Sequence, residues 1–93
     1  MNKSGNIYEI KIAKDAVDFI KQQSKKIQRQ IINKINHIAE NPQEYGSPIK
    51  NSDNQFKIRT GSYRIAYKLL NKELIILVVR VGHRKDFYEY YNR

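Results

Sequence analysis

A chain of 93 residues has room for one hydrophobic core and no second domain. Its 40% hydrophobic and 11% aromatic residues argue against disorder, and the lack of any cysteine excludes disulfides, thiolate metal sites and thiol nucleophiles. The 18 Lys and Arg against 9 Asp and Glu leave a formal charge of +9, a self-repulsion that an anionic partner relieves.

Nucleic acid leads among such partners, because Tyr and Arg are abundant together. The longest apolar run, Leu74 to Val79, is far too short to span a bilayer, so no membrane partner is expected. Met1 to Gly5 opens no apolar stretch of the kind a secretory signal needs, and the absence of cysteine fits a cytoplasmic location.

Along the chain, Ile7 to Ile12 alternates Ile7, Glu9 and Lys11 with Tyr8, Ile10 and Ile12, which predicts a strand. Ala16, Val17, Phe19 and Ile20 recur at helical spacing, with Asp15 and Asp18 early, where the helix dipole favours carboxylates. A second helix follows. Ser24 can cap it, and Ile27, Ile31, Ile35 and Ile38 form one apolar stripe, while Lys25, Lys26, Arg29 and Lys34 occupy the opposite face. His37 lies off the stripe and is expected in solvent.

Asn41-Pro42 ends this helix, and Pro42 to Asn54, with Gly46 and Pro48, reads as a loop. Three strands then follow at Phe56–Thr60, Tyr63–Leu70 and Glu73–Val81, joined by turns at Gly61-Ser62 and Asn71-Lys72. Leu74 to Val79 is apolar on both faces, which predicts a central strand. Gly82 to Arg93 is a short tail. The order β-α-α-β-β-β predicts a single α+β domain over residues 1–93. Its mostly antiparallel four-stranded sheet carries a helical hairpin on one face and leaves a basic face open.

Strand parity then places the cations. With Gly61-Ser62 as a two-residue hairpin loop, Arg59 pairs with Arg64, Ile58 with Ile65, Lys57 with Ala66 and Phe56 with Tyr67. Lys57, Arg59 and Arg64 gather on one face, and His83, Arg84 and Tyr88 are expected near it as the chain leaves the last strand. Like charges placed opposite each other destabilise a sheet, so such a cluster either splays into solvent or binds an anion.

The segments Phe56-Lys57-Ile58-Arg59-Thr60-Gly61-Ser62-Tyr63-Arg64-Ile65-Ala66-Tyr67 and Val79-Arg80-Val81-Gly82-His83-Arg84-Lys85-Asp86-Phe87-Tyr88 closely resemble the RelE toxins of the RelE/ParE superfamily. The resemblance covers essentially the whole chain. It implies a ribosome-dependent, metal-independent endoribonuclease that cleaves messenger RNA in the ribosomal A site and is restrained by a cognate antitoxin. By position it also implies site roles for Lys57, Arg59, Arg64 and Arg84. Tyr88 matches the family's tyrosine, with Tyr90 competing, and His83 stands where members carry a histidine or a lysine.

Cutting RNA without a metal requires a base for the 2′-hydroxyl, cations for the phosphate and an acid for the leaving 5′-oxygen. No Cys, only two distant His and no carboxylate cluster on the basic face are available to hold a metal or cofactor, so none is expected. Arg64 and Arg84 suit the phosphate, and Lys57 or Arg59 the 2′-hydroxyl or its anion. His83 is the candidate acid and Tyr88 the candidate base-stacking residue. Lys25, Lys26, Arg29 and Lys34 suit sequence-independent contacts with ribosomal RNA, or are an ordinary solvated face. Two alternatives remain open: a ParE-like gyrase inhibitor, and a basic RNA- or ribosome-binding module without chemistry.

Overall fold

The computed structural model describes residues 8–83. In chain order these form β1 (Glu9–Ile12), α1 (Lys14–Lys21), α2 (Lys25–Ile38), a one-turn α3 (Pro42–Tyr45) and a two-residue β2 (Ser47–Pro48). Then come β3 (Gln55–Thr60), β4 (Tyr63–Leu70) and β5 (Ile75–His83). The strands build one five-stranded sheet in the order β1-β5-β4-β3-β2. β1 runs parallel to β5, and every other pair is antiparallel. The expected α+β architecture therefore holds, with one strand more than the four foreseen.

The core lies between the helices and one sheet face. Ala16 and Ile20 of α1 and Ile31, Ile35 and Ile38 of α2 pack with Ile65, Tyr67, Leu69, Ile76, Val78 and Val81 of the sheet. Fully burying one such Ile contributes about 1.5–3 kcal/mol, so the α2 stripe is what fastens the helical layer. Its start is fixed locally: Ser24 Oγ accepts a hydrogen bond from the Ile27 N–H at 3.3 Å. Gln30 of α2 donates to Thr60 Oγ1 at 3.3 Å, tying the helix to the β3–β4 hairpin. That hairpin turns at Gly61, whose φ of +63° is the left-handed conformation glycine adopts without strain.

The segment read as a loop, Pro42 to Asn54, contains two short elements. Pro42 opens α3 at a position where its missing N–H costs nothing. From β4, the buried Tyr67 donates its hydroxyl proton to the Pro42 carbonyl at 2.6 Å, and Gly46 passes against the same phenol. β2 then pairs Ser47 with Lys57 and Pro48 with Phe56 on the outer edge, the place in a sheet that tolerates proline.

The last strand also differs from expectation. Asn71 to Leu74 forms the turn, with Leu74 at φ +56°, so β5 begins at Ile75 and runs on through Gly82 and His83. It is central, between β1 and β4. Within it lies a bulge: Tyr67 pairs with Val78 but Ala66 pairs with Arg80, leaving Val79 as the extra residue.

Candidate nucleic-acid interface

Side chains on one sheet face follow from parity, and the core fixes which face is which. Ile65, Tyr67 and Leu69 of β4 enter the helix-side core. Arg64, Ala66, Lys68 and Leu70 consequently belong to the other face. The β3–β4 register is the expected one, with Arg59 opposite Arg64, Ile58 opposite Ile65, Lys57 opposite Ala66 and Phe56 opposite Tyr67. Lys57, Arg59 and Arg64 thus share the face turned away from α1 and α2. Lys57 and Arg64 are half-buried and Arg59 is exposed.

Two adjacent rows of this face carry its arginines. One runs Lys57–Ala66–Arg80 across β3, β4 and β5, and the next runs Arg59–Arg64–Gly82. The rest of the face grades from cationic to apolar. Lys68 pairs with Leu77, and Leu77 with Lys11 of β1, while Leu70 pairs with Ile75, which lies beside Glu9.

Arg80 was missed by sequence reasoning. In an unbroken strand it would share the side of Ile76 and Val78, both fully buried in the core. The extra residue Val79 turns the strand over, so that Val81 enters the core and Arg80 joins Lys57. Nothing in the run of apolar residues signals this. The only sequence hint is the Arg itself, a charge in a strand that is otherwise buried.

The same parity corrects the placement of His83. It pairs with Tyr63, on the helix side, and not with the arginines. Its ring stands 4.8 Å from that of Tyr63 and 5.9 Å from that of Phe19 on α1, with Phe19 and Tyr63 themselves at 6.0 Å. The structure therefore joins His83 to an aromatic cluster at the end of the sheet, across the sheet from Lys57, Arg59 and Arg64. The expected positions of Arg84, Tyr88 and Tyr90 lie outside the described residues.

The helix cations form a separate group. Lys25, Lys26 and Arg29 are exposed on the outer side of α2, whereas Lys34, expected with them, is half-buried and, two turns on from Ile27, stands beside the Ile stripe and not opposite it. Since the opposite side of α2 packs on the sheet through its Ile stripe, the core separates this group from the sheet cations. His37 is exposed, as expected, and stacks on Tyr45 of α3 at 4.2 Å.

Residues 10–88 match the family model described as the ParE toxin of type II toxin-antitoxin system, parDE. A RelE-like toxin protein of Escherichia coli is 30% identical over 80 residues, 84% of each chain. The chain belongs to the RelE/ParE family of type II toxins. Solved structures agree on the fold of this RelE-like toxin. The Escherichia coli RelBE toxin-antitoxin complex matches with a TM-score of 0.74 at 19% identity, covering 82% of this chain and 95% of that one. The RelBE2 complex of Mycobacterium tuberculosis matches with a TM-score of 0.74 at 20% identity, covering 83% and 98%. The RelB-RelE complex of Methanococcus jannaschii has a TM-score of 0.68 at 28% identity, covering 87% and 98%.

Proposed function

We propose that this toxin is a messenger-RNA endoribonuclease that acts on the ribosome. It cuts by attack of a 2′-hydroxyl on the adjacent phosphodiester, and a cognate antitoxin holds it inactive. The observation that carries this reading is the gathering of Lys57, Arg59 and Arg64 on the sheet face that no described helix covers, in a chain that belongs to a toxin family.

In this reading Arg64, joined by Arg84 of the tail, grips the scissile phosphate through its two-pronged guanidinium. Lys57 or Arg59 activates the 2′-hydroxyl or steadies its anion, and negative charge gathering on the phosphate meets cations already in place. Tyr88, or Tyr90, stacks on or orients a base. The proton for the leaving 5′-oxygen is assigned to the tail and not to His83, whose ring faces Phe19.

The α2 cations Lys25, Lys26, Arg29 and Lys34 provide sequence-independent contacts to ribosomal RNA. The antitoxin reading draws on the relatives solved with an antitoxin bound, and the +9 charge suggests that an acidic segment of it wraps the basic face. Tightly controlled expression, with transcripts mapped in the presence and absence of ribosomes, tests the proposal. Growth arrest with cleaved messages only on ribosomes supports it, and arrest with intact messages refutes it.

The ParE description of the matching family model favours a second reading, inhibition of DNA gyrase. It predicts DNA breaks that depend on gyrase, with messages left whole.

A further inference from the structure

We infer that Lys57 and Arg80 form a second phosphate seat, one nucleotide away from the scissile phosphate gripped by Arg64, which leaves the 2′-hydroxyl to Arg59. The inference rests on the reading that this face takes RNA. The two rows, Lys57–Ala66–Arg80 and Arg59–Arg64–Gly82, are two residues apart along β4. That is about 6.6–6.8 Å of strand rise, a separation comparable with that of adjacent phosphates along an extended single strand. An RNA backbone lying along β4 therefore meets one cationic row per phosphate.

Each row holds one small residue. Ala66, fully buried yet outside the helix-side core, is the methyl floor between Lys57 and Arg80. In the next row Gly82 occupies an ordinary strand conformation, and no described atom lies within 4 Å of where a Cβ would stand. The fold of the described residues does not call for glycine there. The bulge at Val79 points the same way. Without it Arg80 would face the core; with it a long cation is aimed at the basic face, and bulges are over-represented where a sheet re-aims a side chain beside a site.

The test uses the purified full chain and a fluorescent 2′-O-methyl RNA octamer, which cannot be cut by 2′-hydroxyl attack. Binding is followed by anisotropy between 50 and 200 mM salt. Losing one phosphate contact on a single strand lowers the slope of log affinity against log salt by about 0.7. The double variant K57Q/R80Q loses that amount, R64Q loses a separate similar amount, and the triple variant loses both. R80K keeps the wild-type slope, because a charge is retained. A K57Q/R80Q slope equal to that of the wild type overturns the inference, and so does wild-type binding that ignores salt. Cleavage of ribosome-bound message by the wild-type chain is scored separately. A chain that leaves messages intact but shows the slope changes keeps the second seat and refutes the nuclease reading, while cleavage with unchanged slopes refutes the second seat alone.

Discussion

Arg59 and Arg64 face each other directly across the β3–β4 hairpin, with Gly82 of β5 completing their row. Two guanidinium groups so placed oppose folding, by a few tenths to about 1 kcal/mol. In the proposed reading they are kept for the phosphate backbone of RNA. Stability and function should then respond with opposite sign. Arg59→Gln is expected to raise the unfolding free energy by up to about 1 kcal/mol and to weaken message cleavage. Urea unfolding and a ribosome-dependent cleavage assay on the same preparation check both halves.

Arg64 carries the larger share of the proposed chemistry. Arg64→Ala is expected to slow message cleavage by about 10²-fold or more, the loss typical of removing one charge-stabilising donor. Arg64→Lys keeps the charge but loses the fork, and should recover only part of the rate. Single-turnover cleavage on stalled ribosomes measures each. Ribosome binding that stays near the wild-type level separates lost chemistry from lost affinity, and thereby the enzyme from a binding module.

Tyr67 holds the segment between α2 and β3 in place. Replacing it with Phe removes the donor to a buried Pro42 carbonyl and should cost about 1–3 kcal/mol. Burial, opposed by a hydrogen bond from the Gly46 backbone, pushes the phenol up from 10.0 to about 12. The neutral form is thus favoured in the folded state. The stability it contributes is complete below pH 10 and lost as the pH rises through about 12. Urea unfolding between pH 8 and 12 should show the wild type and Tyr67→Phe converging at the alkaline end. Parallel curves would contradict the assignment.

Ser24 caps α2 with a single side-chain bond. Ser24→Ala should lower stability by about 1 kcal/mol, and Ser24→Asp should restore it, since the carboxylate also meets the positive end of the helix dipole. Thermal melts followed by circular dichroism are sufficient.

What the sequence made legible follows periodicity. The alternation of Phe56, Lys57, Ile58 and Arg59 and the Gly61-Ser62 turn specified the β3–β4 register residue by residue, because a two-residue hairpin leaves no freedom to slip. Ile27, Ile31, Ile35 and Ile38 announced α2 for the same reason. Elements shorter than a period were not legible. α3 depends on Tyr67, 25 residues downstream of Pro42, and β2 on the free edge of β3. β5 failed differently. A strand apolar on both faces carries no alternation from which a bulge at Val79 could be read, so Arg80 went unassigned and His83 was placed with the arginines.

Pairing, rather than residue type, governs what the end of β5 presents. The same residues paired without the bulge would keep every charge, yet parity would send Arg80 toward Ile76 and Val78 and turn Val81 outward. A chain lacking Val79, by contrast, would alternate regularly and keep Arg80 where it is. How β5 pairs at this one point therefore decides the side that every later residue of the strand faces, with no change in composition.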